Sequence, residues 1–138
     1  MKEHVALIIK NKNREVLFVR RSLKKKTLPG TWSFPSGTIE PNEKAYDTSI
    51  REAKEELDID ITPEQVLATK ELPEFSVKLI FVVCSIVAGS PRIKEPDEID
   101  EIRWMSFGDF FNNFSDEEIG HGLIWLRKNQ EILRPLAL

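Results

Sequence analysis

Two short β-branched apolar runs open the chain, VALII over residues 5–9 and VLFV over 16–19, with the polar Lys10-Asn11-Lys12-Asn13-Arg14 between them. Such a polar cluster reads as a hairpin turn, so the two runs are expected to pair antiparallel. Later, VKLIFVVCSIV over 77–87 is a continuous apolar run, the pattern of a strand buried on both faces. Residues 65–71 predict another strand, and a short last strand should end near Trp104-Met105. Between them the period changes. Ala45, Ser49, Ala53 and Leu57, with Ile50 beside them, fall at helical spacing and predict a helix over about 45–57 with no strong cap near Asn42 or Lys44. Ser115 and Glu118 form a capping-box pattern before Ile119, Leu123, Leu126, Gln130 and Leu133, which marks a second helix weakened at its start by Gly120 and Gly122.

Strands on either side of one central helix, and a helix at the end, predict an α/β architecture in which helices sandwich a mixed sheet. With 138 residues, 41% of them hydrophobic, the chain suits one domain, residues 1–138, with no repeat or linker to divide it. A net charge of −3 favours neither nucleic acid nor an anionic membrane as a general partner. The single cysteine, Cys84, excludes an intrachain disulfide and lies inside an apolar run, where a thiol serves packing. No apolar stretch reaches the length of a membrane span and Met1-Lys2-Glu3-His4 lacks a signal-peptide core, so a cytoplasmic protein is expected.

The candidate chemistry lies on the central helix. Glu52, Glu55 and Glu56 stand at i, i+3 and i+4, which turns three negative groups toward one helical face. An isolated acidic face of this kind is ordinarily just solvated surface. Here it has specific neighbours: Gly37 precedes Glu43 by six positions, and Glu43 precedes Arg51-Glu52 by eight. That arrangement, G-x5-E-x7-R-E-U-x-E-E-x-G-U with U apolar, resembles the box of the Nudix hydrolases over residues 37–59. Asp58 replaces the closing glycine, at a place where a chain leaving a helix often needs positive φ, a conformation that Asp tolerates better than most residues. The lead-in Gly30-Thr31-Trp32-Ser33-Phe34-Pro35-Ser36-Gly37 is similar to the family's G-x-W-x-F-P-G-G, with Ser36 in place of its penultimate glycine.

The resemblance implies the Nudix fold and metal-dependent hydrolysis of a pyrophosphate bond in a nucleoside diphosphate linked to another group X. It implies Glu52, Glu55 and Glu56 as ligands of Mg2+, with Mn2+ as the alternative ion, joined by the Ser36 carbonyl. Hard oxygen donors suit such an ion, which neutralises phosphate charge against an incoming nucleophile. Gly37, Glu43 and Arg51 would brace the box. The acidic stretch 95–101 offers a further ligand or general base, Glu98 by our reading with Glu101 as its rival, and Glu52 is the other candidate base. Arg20 and Arg21, at a strand end before a basic loop, are read as phosphate-binding cations. Trp32 and Phe34 are read as core aromatics or stacking platforms for a base. Trp125 is read as core, and His4 and His121 as incidental.

For the substrate, the chain resembles the MutT-like nucleoside triphosphate pyrophosphohydrolases, with ADP-ribose, dinucleoside polyphosphates and coenzyme A as competitors. The coenzyme A option rests on a partial match over residues 17–37, with Lys26 and Val19 at two of its motif positions. A non-catalytic nucleotide-binding module is the reading from another class, and such modules typically lack box glutamates, which are all present here. The expected partner is a small nucleotide, with dimerisation frequent in the family.

Overall fold

The computed structural model describes residues 1–138. Seven strands form one mixed sheet: β1 (Lys2–Lys10), β2 (Val16–Arg21), β3 (Trp32–Ser33), β4 (Ser36–Thr38), β5 (Asp60–Leu72), β6 (Val77–Ala88) and β7 (Ile99–Met105). Three helices accompany them: α1 (Ala45–Leu57), α2 (Phe107–Asn113) and α3 (His121–Lys128). The strand path runs β3-β2-β1-β6-β5, with β4 paired to β1 and β7 paired to β2.

The hairpin of the first two runs forms, but only its base next to the turn pairs, at Lys10 opposite Val16. Beyond that the strands diverge. β1 runs parallel to β6 from Lys2–Val77 to Lys10–Ser85 and takes β4 antiparallel on its other side, while β2 pairs with β7. Strand alternation then divides the apolar residues between two cores. Val5, Leu7, Ile9, Leu17, Val19, Ile80, Val82 and Cys84 face α1 and pack on Ala53 and Leu57. Ala6, Ile8, Val16, Phe18, Phe81 and Val83 face the other way, onto Phe107, Phe110, Leu123 and Leu126 of α2 and α3. Helices therefore cover both faces of the sheet, as the sequence pattern implied.

Several elements differ from expectation. β5 begins at Asp60 rather than 65, because Pro63 is accommodated at an irregularity between Pro63 and Gln65 on an edge strand. β6 is buried on both faces only in its middle, Ile80–Cys84, and Val87 is exposed at its end. Ile50 lies on the solvent side of α1, whose sheet-facing stripe is Thr48, Ser49, Ala53 and Leu57. The terminal helix is interrupted: the Ser115–Glu118 box caps a short 3-10 turn, Gly120 stands at the N-cap of α3, and a further 3-10 segment, Gln130–Leu136, follows. Gly122 has a packing role, since a Cβ there would stand 3.0 Å from Leu79 Cδ1 and 3.3 Å from Phe81 Cζ. Helix α3 thus needs a glycine to lie this close to the sheet.

Candidate active site

The small residues Ser49 and Ala53 seat α1 closely on the sheet, and this fixes where its acidic face ends up. Glu52 lies directly over Gly37 of β4, so that a Cβ at Gly37 would overlap its carboxyl group. Only glycine permits that approach. Arg51 gathers the surrounding loops: its Nε and Nη2 donate to the two oxygens of Glu43 at 2.7 and 2.9 Å, and Nη2 also donates to the Thr38 carbonyl at 3.1 Å. Its Nη1 reaches Glu52 at 2.9 Å and Glu55 at 3.3 Å. Glu43 in turn accepts from the Glu40 backbone N–H and the Thr48 hydroxyl, and the guanidinium holds its carboxyl down at about 2. One arginine thereby locks loop, strand and helix through charge-assisted, two-pronged bonding.

Glu52 and Glu56 converge, one helical turn apart. Burial raises the Glu52 carboxyl, an effect opposed by the Arg51 charge. Glu56 is pushed well above its ordinary value, first by burial and then by the Glu52 charge, by its hydrogen bond with Glu52, and by the charges of Glu95 and Glu98. In the absence of a cation the two carboxyls therefore resist being ionised together, Glu56 the more strongly. Glu55 is turned aside: its side chain is 54% exposed and leans on Arg51 rather than on its two neighbours.

The loop between β6 and β7 covers this end of α1. Backbone N–H groups of Arg92 and Lys94 donate to the carbonyls of Leu57 and Glu56, continuing hydrogen bonding past the helix end. Asp58 takes the left-handed conformation, φ 56°, and accepts from Arg92 Nε at 2.9 Å, so the residue replacing glycine gains a partner of its own. The same loop brings Glu98 and Glu95 toward Glu56. Glu98 is paired with Lys25 at 2.5 Å, and its carbonyl accepts from the Ser22 N–H. Glu101 is engaged elsewhere, 2.6 Å from Arg103 Nε and 3.7 Å from Arg20. Glu95 was overlooked in the sequence, although it belongs to the same acidic stretch.

No three His, Cys, Asp or Glu side chains converge closely enough to enclose an ion by themselves. The donor set nevertheless fits a hard divalent cation: the half-buried Glu52 and Glu56 carboxylates interact closely, with more negative charge than Arg51 offsets. Mg2+ commonly takes one or two carboxylates and completes its shell with water and substrate phosphates.

A cleft of about 550 Å³ opens on the face of the sheet opposite α1; Ser36, next to Gly37, is in its lining, while Glu52 and Glu56 are not. Phe34, Leu79, Phe81 and Leu123 form its apolar walls, and Arg21, Ser36 and His4 contribute polar edges. Arg21 faces the cleft while donating to the Thr27 carbonyl and hydroxyl, which braces the basic loop. Arg20 is held by Asp100 at 2.6 Å and lies outside the cleft lining. Trp32 is core rather than a platform, 5% exposed between Phe114 and the Arg103 guanidinium. Phe34 is also buried, stacked on Phe18, with one side forming cleft wall.

A two-sided sheet whose helix holds paired, half-buried glutamates over the glycine of a short strand defines a recognisable class. Residues 2–124 match the family model described as NUDIX domain, and the chain belongs to that family. It is 31% identical over 111 residues to Nudix hydrolase 2 of Arabidopsis thaliana, covering 78% of this chain and 40% of that protein. It is 30% identical over 107 residues to the NAD-capped RNA hydrolase NudC of Stutzerimonas stutzeri, covering 78% of this chain and 38% of that one. The chain thus spans about two fifths of the length of these curated relatives. The crystal structure of a MutT protein from Methanosarcina mazei superposes with a TM-score of 0.68 at 26% identity, over 86% of this chain and 84% of that one. Nudix hydrolases generally need a divalent metal. No helix is long and apolar enough to cross a membrane.

Proposed function

We propose that the protein hydrolyses a pyrophosphate bond in a nucleoside diphosphate linked to X, and that the substrate is a nucleoside triphosphate cleaved, as by MutT-like enzymes, to a monophosphate and pyrophosphate. The observation that carries this reading is the Glu52–Glu56 pair, charge-frustrated and held over Gly37, whose neighbour Ser36 lines a cleft large enough for a nucleotide.

Glu52, Glu56 and the Ser36 carbonyl would hold a divalent ion, Mg2+ or Mn2+, with Glu55 and Glu98 recruited from their present partners. When bound, such an ion neutralises phosphate charge and acidifies coordinated water. The chain's own residues do the rest. Arg51 fixes the Glu52 carboxylate and opposes the burial that raises it, favouring the ionised form that can accept a proton from the attacking water. Glu98 is the second candidate base, released when Lys25 turns to a phosphate instead. Arg21, already at the cleft edge, orients the phosphate chain.

Phosphate and pyrophosphate release, measured with Mg2+ over a panel of nucleoside triphosphates, ADP-ribose, dinucleoside polyphosphates and coenzyme A, tests the reading. Turnover of triphosphates to monophosphate and pyrophosphate is expected. Preference for another compound would overturn the substrate assignment, and an inert panel would overturn the enzymatic one.

A further inference from the structure

β2 and β7 lie side by side, and the basic segment 20–26 that ends the one faces the acidic segment 95–101 that opens the other. Opposite charges meet along the seam: Arg20 with Asp100 at 2.6 Å, Lys24 with Asp97 at 3.0 Å and Lys25 with Glu98 at 2.5 Å. The two lysine pairs differ in weight. Lys24 and Asp97 are 77% and 81% exposed, so water screens them and the pair contributes little. Lys25 is 26% exposed, and of residues 24–26 it alone is drawn in from solvent.

The backbone prepares this inner pair. The Lys25 N–H donates to the Ser22 carbonyl at 3.1 Å and the Glu98 N–H to the Glu95 carbonyl at 2.9 Å, so each residue closes a four-residue turn. The Ser22 N–H donates to the Glu98 carbonyl at 2.9 Å and ties one turn to the other, and Ser22 itself is buried. Glu98 is at the same time an arm of the acidic site. Its charge reaches Glu56, where it adds to burial and to the Glu52 and Glu95 charges in raising that carboxyl. The Lys25 ammonium thus draws on negative charge that a divalent ion at Glu52 and Glu56 also draws on, and the two cations repel each other.

We propose that Lys25 is a built-in counter-ion of the acidic site, which competes with the divalent ion for Glu98 and must leave that carboxylate before it can join the metal. That Glu98 serves a metal at all rests on the proposed hydrolase function. Lys25 is a positioning residue, acting through Glu98. While the pair is closed the acid is withheld, and apparent metal affinity falls by the fraction of molecules in which it is open.

The test is Mn2+ titration, with the free ion counted by electron paramagnetic resonance, of the wild type, Lys25→Ala, Lys25→Arg, Lys24→Ala, Glu98→Gln and the Lys25→Ala/Glu98→Gln double variant, each checked for folding by thermal melting. Lys25→Ala should bind Mn2+ about fivefold more tightly than the wild type, the upper end of what an ion pair near the surface is worth. Lys25→Arg, which keeps a cation opposite Glu98, and Lys24→Ala, which removes the same charge from the same loop, should both bind as the wild type does. Once Glu98 is replaced, removing Lys25 should change nothing further. Lys25→Ala binding no tighter than wild type, or an equal gain in Lys24→Ala or on top of Glu98→Gln, overturns the counter-ion. Glu56→Gln and pyrophosphate release, measured beside these, judge the hydrolase reading: Mn2+ binding that needs Glu56 but ignores Lys25→Ala removes the counter-ion alone, and a gain in Lys25→Ala without turnover by the wild type removes the hydrolase alone.

Discussion

Adding one methyl group at Gly37 should disable the site while sparing the fold. Gly37 pairs with Val5 in the sheet and has no left-handed φ, so alanine can adopt its backbone without strain. All of the conflict falls on Glu52, whose carboxyl occupies the space a Cβ would take. Restoring ordinary carbon contact of about 3.5 Å requires the carboxyl to retreat by roughly 1 Å or more. That movement breaks the 2.9 Å bond from Arg51 Nη1 and parts Glu52 from Glu56. A misplacement of about 1 Å in reacting geometry can cost on the order of 100-fold in rate. The stability loss is bounded by one charge-assisted hydrogen bond, about 1.5–3 kcal/mol, and is offset in part by relief of repulsion between the two glutamates. The Gly37→Ala variant should therefore lose about 100-fold in kcat/KM for pyrophosphate release and melt within several degrees of the wild type. Activity within threefold of wild type would refute the claim that Glu52 works from this position.

Other expectations follow from the same geometry. Glu43 is held at about 2 by Arg51, below its ordinary 4.5, so the unfolded chain binds more protons between those values. Its stabilisation is full above pH 4.5 and is lost as pH falls toward 2; acid unfolding followed by circular dichroism should show that loss in the wild type and not in Glu43→Gln. Glu56 has the opposite sign: its folded carboxyl is raised, so stability declines as pH rises from 4.5 through the raised value. Metal-free Glu56→Gln should then melt higher than the wild type at pH 8, and Mg2+ should raise the wild-type Tm more than that of the variant. Gly122→Ala should cost about 1–3 kcal/mol through overpacking against Leu79 and Phe81, read as a lower Tm. The Cys84 thiol, buried and pushed up to about 12, should react with a thiol reagent at pH 8 only after denaturant is added.

Much of the fold was legible because one period dominates each segment. The runs 5–9, 16–19 and 77–87 became strands and 45–57 became a helix with the predicted bounds. Helix α2 was missed, although Ser106 caps it by accepting from the Asp109 N–H and Phe107, Phe110, Phe111 and Phe114 recur at helical spacing. The acidic stretch before it drew attention instead. Strand partners were less legible than strands: nothing local in residues 2–10 announces a parallel match with 77–85, because parallel pairing depends on segments distant in sequence. At the site, spacing placed Glu52, Glu55 and Glu56 on one helix face but could not foresee that Arg51 would draw Glu55 aside, a choice made by loops folding over the helix. The Lys25–Glu98 pair joins residues 73 positions apart, and no window of sequence contains it.

Pyrophosphate release from a nucleoside triphosphate, followed for the wild type and Glu56→Gln with Mg2+ and again after chelation, puts the acidic pair to its most direct test. Wild-type turnover that stops on chelation, and a fall of about 100- to 10,000-fold in a variant that remains folded, is the predicted result. Equal turnover by the two proteins, or turnover indifferent to chelation, would contradict it.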